Sequence, residues 1–321
     1  MHRLTLALVS GLKPIERQQL EAEHGDCLSI LDFSQDRDGL AKAGPVVDIV
    51  YGNVRPFELP ELTNLRWVHA TWTGIDNLLY PEMIASDVTI TCTKGGSASQ
   101  IAEHAVSGVA YLARDFETHL RGRQSKTWPM PSQAILMEES TALIAGLGHI
   151  GQKIAQKLSA LGVRVLGLSR SGSPVTHCEA VYTPQTFHPI LPEVDFLVLA
   201  LPTTPTTRKL FDRPTLSTLK PGAGIINVGR GTCLDEAALT ELIQSGHLRG
   251  AVLDVTDPEP PSPSSPLWIT PGILLTGHRS WQPSLPHPTQ TGFAVFSRNL
   301  PHFFAGKLDQ LEGLVDKTQG Y

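Results

Sequence analysis

Three residues far apart along the chain carry the side chains that reduction of a carbonyl requires. Arg230 stands between Gly229 and Gly231 at the end of the apolar run 224–228. Glu259 stands between Pro258 and Pro260, shortly after the run 250–255, and His278 follows Gly277 after the run 273–276. A guanidinium can fork onto a carboxylate. An imidazole can deliver a proton near neutral pH, and a neighbouring carboxylate keeps it protonated beforehand. A 2-keto acid uses all three groups: its carboxylate needs a cation, its carbonyl oxygen needs polarising as charge develops, and that oxygen must then receive a proton. Taken singly, each residue has an ordinary reading, as a surface ion-pair partner, a solvated loop carboxylate and a hydrogen-bonded structural histidine. Their recurrence at successive strand ends points to chemistry.

Upstream lies a cradle for the other reactant. The segment TALIAGLGHIGQ, 141–152, runs an apolar strand into Gly146, Gly148 and Gly151 and then into a helix. This is the G-x-G-x-x-G pattern in its required strand–turn–helix context. Gly146 allows the tight turn, Gly148 lets the backbone approach a pyrophosphate, and Gly151 lets the helix pack close to the sheet. The amides of Gly148, His149 and Ile150 then face the phosphates from the positive end of a helix. The next strand, 163–168, ends in Ser169, Arg170, Ser171 and Gly172. NAD-binding folds place an Asp or Glu there, on the ribose 2′-hydroxyl. No carboxylate stands here to repel a 2′-phosphate, and Arg170 can hold one. The expected cofactor is NADP(H), with NAD(H) as the alternative; no metal site is read from the sequence.

The elements that must position these groups alternate between strand and helix. Strands are predicted over 4–9, 27–31, 48–51, 67–70, 89–91, 142–145, 163–168, 196–200, 224–228, 250–255 and 273–276. Helices are predicted over 14–23, 100–114, 151–161, 215–218, 236–245 and 289–304. Such alternation indicates an α/β protein with parallel sheets covered by helices on both faces. Two doubly wound, Rossmann-like domains are expected. The segment 119–140 is mixed and irregular and reads as a protruding arm, and the Pro-rich stretch 257–266 as a rigid surface loop.

Composition narrows the partners. The chain has 321 residues, enough for two domains, with 41% hydrophobic and 18% charged residues and a net charge of −5. That charge makes no case for nucleic acid or an anionic membrane, and no apolar run reaches spanning length. The N-terminal run lacks the long apolar core of a signal peptide and reads as the first strand. Cys27, Cys92, Cys178 and Cys233 form no CxxC pair, as expected of scattered reduced thiols in a cytoplasmic protein.

With these residues in place, the chain resembles the D-isomer-specific 2-hydroxyacid dehydrogenases. The segments that carry the resemblance are GLGHIG (146–151), ALPTTPTTRKLFD (200–212), LKPGAGIINVGRGTCLDEAAL (219–239), LDVTDPEP (253–260), SPLW (265–268), LLTGH (274–278) and, nearer the N-terminus, LRWVHATWTGIDNLL (65–79). The resemblance implies that Arg230 binds the carboxylate and carbonyl oxygen and that Glu259 pairs with His278 as the acid–base residue. It implies further substrate contacts at Gly52, Asn53, Trp72, Gly74 and Ile75. Cofactor contacts are implied at Ser169 to Ser171, Leu201, Pro202, Val228, Gly229, Arg230, Asp254 and His278. It also implies that 1–99 and 284–321 form a flavodoxin-like substrate domain into which the dinucleotide domain 100–283 is inserted, and that the chain is a homodimer.

Two departures from the family pattern bear on the site. The residue before the histidine is Gly277 where proline is usual, and Arg279, Ser280 and Trp281 follow where small residues are common. The Ser-Arg-Ser turn and the TWTG segment, 71–74, resemble the NADPH-using glyoxylate/hydroxypyruvate reductase branch most. Tyr51 and Trp72 offer an alternative, stacking on a larger, aromatic or branched keto acid, or simple core packing. Two other readings are a relative acting on formate or phosphite and, from another class, a dinucleotide-sensing protein-binding module.

Overall fold

The computed structural model describes residues 3–128, 133–282 and 291–318. The chain divides into two compact units, residues 1–97 with 284–321, and residues 98–283. The first division falls two residues ahead of the expected 99/100 boundary, where a helix starts at Ala98. The expected 283/284 boundary lies outside the described residues.

The first unit holds β1 (Leu4–Leu8), α1 (Pro14–His24), β2 (Leu28–Asp32), α2 (Asp38–Lys42), β3 (Ile49–Tyr51), β4 (Trp67–Ala70), α3 (Pro81–Ala85) and β5 (Thr89–Cys92). Its described strands form one parallel sheet in the order β2-β1-β3-β4-β5. Alternate residues of β1, β3 and β4 enter opposite cores: Ala7, Val50 and Val68 on one face, Leu6, Leu8, Ile49 and Trp67 on the other. The second face is covered by the C-terminal helix Gly292–Phe304, whose Phe293, Phe296, Leu300 and Phe303 pack against it. The chain therefore returns to its first unit. The first two residues of the predicted helix 289–304 fall outside the described residues.

The second unit holds α4 (Ala98–Ala113), α5 (Phe116–Ser125), β6 (Thr141–Ala145), α6 (His149–Ala160), β7 (Arg164–Leu168), β8 (Ala180–Tyr182), β9 (Phe196–Leu199), α7 (Arg213–Ser217), β10 (Ala223–Asn227), α8 (Glu236–Gln244), β11 (Leu248–Leu253) and β12 (Ile273–Leu275). These strands form a parallel sheet in the order β12-β11-β10-β9-β6-β7-β8. Leu143, Leu197, Ile225 and Ala251 point to the side of α7 and α8, and Ile144, Val198, Ile226 and Val252 to the side of α4 and α6. Burial on both faces is why these strands read as unbroken apolar runs. The strand β8, a three-residue edge element whose residues are half-buried, escaped the sequence reading. The expected irregular arm is corrected in its first half, which is the helix α5; residues 129–132 of it lie outside the described residues. Its return leg is tied down where the Ile135 amide donates to Ala113 O at 2.8 Å.

Among the described residues, no helix is long and apolar enough to cross a membrane.

Candidate active site

A single row of paired residues crosses the large sheet near its carboxyl edge. Leu275 pairs with Leu253, Leu253 with Asn227, Asn227 with Leu199, Leu199 with Ala145, and Ala145 with Leu168. Neighbouring strands lie about 4.8 Å apart, so six chain segments leave the sheet side by side. In the same order they lead to His278, to Asp254 and Glu259, to Gly229 and Arg230, to Leu201 and Pro202, to Gly146–Gly151, and to Ser169–Ser171. The strand order reverses between β9 and β6, and such a switch point is where open α/β sheets take ligands.

The glycine loop is built as its sequence requires. Gly146 has φ +98°, and a side chain there would run into Ala200 of the adjacent strand end. A side chain at Gly151 would strike the carbonyl of Gly146, so the helix can approach the turn only with glycine at that position. At Gly148, by contrast, the space is open. Gly148 caps α6 with no side-chain hydrogen bond, and Gly148 and His149 are exposed. The first amides of a 12-residue helix are thus offered outward, the arrangement that binds phosphate. Gln152 braces the loop by donating from Nε2 to Leu147 O at 2.9 Å. At the end of β7 the turn closes on itself, Gly172 N donating to Ser169 Oγ at 3.2 Å, with Arg170 exposed. These residues fit a dinucleotide.

The Arg230 turn is held by a residue the sequence reading passed over. Asn227, fully buried at the end of β10, accepts from Gly229 N at 3.0 Å and donates to Arg230 O at 3.1 Å. Its signal was a lone polar side chain closing the apolar run AGII. Arg230 itself is half-buried and donates from Nη1 to Gly229 O at 2.8 Å. Leu201 and Pro202 are half-buried, and Pro202 O accepts from Thr207 Oγ1 at 2.6 Å. Val228 is buried, its amide bonded to Leu199 O.

The expected pair is formed: His278 Nδ1 and Glu259 Oε1 are 2.5 Å apart. Both Gly277 and His278 adopt left-handed backbone, with φ +64° and +56°. Glycine takes this conformation freely, but for a histidine it is a sparsely populated region that costs of order 1–3 kcal/mol. The departure from proline at 277 therefore has a structural reason, since proline fixes φ near −65°.

Asp254 is engaged within the fold. Its carboxylate is buried and accepts from Thr276 Oγ1 at 2.6 Å, Arg279 N at 2.7 Å and Ser280 N at 3.0 Å. Burial alone would raise this carboxyl, but the bonds from Ser280, Thr276 and the Arg279 amide outweigh it and hold it below the ordinary aspartate range. It anchors the turn that carries His278. Glu236, at the start of α8, plays a related part for Glu259: its Oε1 accepts from Asp257 N at 2.8 Å. Desolvation raises Glu236 to about 7, despite that bond.

The residues expected to contact substrate from the first unit fall at the carboxyl ends of β3 and β4. Gly52 has φ +131° and is buried; Asn53 accepts from Arg37 Nη1 at 3.1 Å, and Arg37 is in turn paired with the buried Glu58 at 2.5 Å. Trp72 and Gly74 are half-buried, whereas the Ile75 side chain belongs to the core. Tyr51 is only 4% exposed and packs on His69 and Phe296, with ring centroids 5.8 and 5.1 Å away. Of the two readings for Tyr51, core packing is the one the fold adopts.

Residues 106–280 match the family described as D-isomer specific 2-hydroxyacid dehydrogenase, NAD binding domain. The chain belongs to the D-isomer-specific 2-hydroxyacid dehydrogenase family. It is accordingly an oxidoreductase of a class that works with NAD(P). Glyoxylate/hydroxypyruvate reductase A of Salmonella paratyphi B is 30% identical over 273 residues, 83% of this chain and 85% of the relative. A family member from Xanthobacter autotrophicus, solved in complex with NADPH and MES, is 25% identical with a TM-score of 0.85 and covers 100% of both chains. The NADPH-dependent glyoxylate/hydroxypyruvate reductase of Sinorhizobium meliloti, solved with NADP and sulfate, is 26% identical with a TM-score of 0.82, covering 99% of this chain and 100% of its own.

Proposed function

We propose that this dehydrogenase reduces a small 2-keto acid, glyoxylate or hydroxypyruvate, to the D-2-hydroxy acid with NADPH as the preferred cofactor. The observation that carries the reading is the 2.5 Å contact between His278 Nδ1 and Glu259 Oε1, on segments that leave the same row of the sheet as Arg230 and the glycine loop. The relatives named above support the substrate class and the cofactor, together with the Ser169-Arg170-Ser171 turn, which offers a guanidinium and no carboxylate.

In this proposal the amides at the start of α6 hold the pyrophosphate, the 169–171 turn holds the ribose 2′-phosphate, and the nicotinamide, when bound, supplies the hydride. The Arg230 guanidinium holds the substrate carboxylate and stabilises the negative charge that grows on the carbonyl oxygen. Glu259 accepts from His278 Nδ1–H and so fixes the ring's orientation. Nε2 is then the atom that carries a proton to the new alkoxide.

The test is oxidation of NADPH and of NADH with glyoxylate, hydroxypyruvate and phenylpyruvate in turn, with the product's configuration assigned. The expected result is highest kcat/KM for NADPH with glyoxylate or hydroxypyruvate. Preference for phenylpyruvate, or for NADH, would overturn the corresponding part of the proposal.

A further inference from the structure

Behind the turn that carries His278 runs a polar chain that ends at a histidine with no part in the steps above. His104 is half-buried on the helix α4. Its Nε2 is 3.0 Å from Thr276 Oγ1. The Thr276 hydroxyl is in turn 2.6 Å from Asp254 Oδ1. A hydroxyl has one proton to give, and an ionised carboxylate can only accept. Thr276 therefore donates to Asp254, and its lone pair is left to accept from His104, whose Nε2 must carry the proton. The amides of Arg279 and Ser280 end on the same carboxylate, and the amide of His278 donates to the main-chain carbonyl of Asp254 at 2.6 Å. The three backbone donors of 278–280 thus converge on one buried residue, across a turn with two successive left-handed positions. Such strained backbone persists only where its surroundings over-determine it.

We propose that His104 is a positioning residue for the acid–base histidine. Its Nε2–H fixes the rotor of Thr276, Thr276 completes the donor set of Asp254, and Asp254 holds the turn in which the His278 ring meets Glu259. The inference rests on the reading of His278 as the proton donor.

The decisive comparison is His104→Leu, which removes the donor, against His104→Gln, which can present an amide N–H to the same hydroxyl. His104→Leu is expected to lower kcat for the keto acid by about tenfold, with the Kd for NADPH and the Tm nearly unchanged. His104→Gln is expected to recover most of the loss. Because both groups act through one chain, the double variant of His104→Leu and Thr276→Val should lose little more than either change alone. Independently of turnover, the ring resonances of His278 should shift in His104→Leu and return in His104→Gln. Wild-type kcat in His104→Leu, additive losses in the double variant, or unmoved His278 resonances would overturn the inference. If His104→Leu fails to fold, Thr276→Val against Thr276→Ser puts the same question to the next link. Normal turnover by His278→Ala would instead reject the reading of the site itself.

Discussion

Nδ1 of His278 stands 2.5 Å from Oε1 of Glu259, with both side chains still open to solvent, at 52% and 41% exposure. A contact this exposed contributes little to stability, and in the proposed mechanism it aims the ring. Replacing His278 by Ala should lower kcat by about 10²–10⁴-fold, the usual contribution of a positioned general acid, while NADPH binding and the melting temperature stay near wild type. Glu259→Gln should lose less, because the amide oxygen can still accept from Nδ1. Steady-state kinetics beside fluorescence titration with NADPH separates the two effects, and near-normal turnover by His278→Ala would refute the assignment.

Arg230→Lys keeps the charge but loses the fork. A charge-assisted bond is worth about 1.5–3 kcal/mol, so kcat/KM for the keto acid should fall roughly 10- to 150-fold. The Asn227 clamp on the turn's backbone involves only main-chain atoms of Gly229 and Arg230 and should survive the change. Unaltered kcat/KM would show that the guanidinium does not meet the substrate.

Arg170→Asp places at the end of β7 the carboxylate that this turn lacks. A 2′-phosphate would then meet repulsion in place of attraction, and a 2′-hydroxyl would gain an acceptor. The ratio of kcat/KM for NADPH over NADH should fall by at least about tenfold. A ratio that stays constant would mean Arg170 plays no part in the choice of cofactor.

Glu236 links electrostatics to stability. Its carboxyl is raised by burial to about 7 in the fold, against 4.5 ordinarily. Across that window the folded chain keeps a proton that the unfolded chain has released. Stability therefore falls as pH rises from the ordinary value to the raised one. Glu236→Gln keeps an acceptor for the Asp257 amide and removes the titration. Its melting temperature should vary less across that window and should exceed wild type on the alkaline side. An unchanged slope in calorimetry at stepped pH would refute this.

The central strands of the large sheet were legible because they are buried on two faces and read as continuous apolar runs, and the glycine loop because its spacing is tied to backbone geometry. β8 was not, although β12, equally short, equally half-buried and at the opposite edge, was. The catalytic candidates were legible as residue types at strand ends. What held them was less so. Nothing in the sequence shows that Thr276 and two amides bond to Asp254. Asn227 carried a weak signal, a polar side chain closing an apolar strand. His104 carried none, because its partner lies 172 residues away in sequence.

The row Leu275–Leu253–Asn227–Leu199–Ala145–Leu168 divides the second unit into a constrained edge and a permissive one. A one-residue insertion inside those strands would swap their two faces and dislodge every segment that depends on the pairing. The opposite edge carries none of these segments. At the tight connection 245–247 before β11, Gly246 has open space around it. An epitope tag or a fluorescent label grafted there should leave the reaction untouched, which makes that corner the natural handle for following this enzyme.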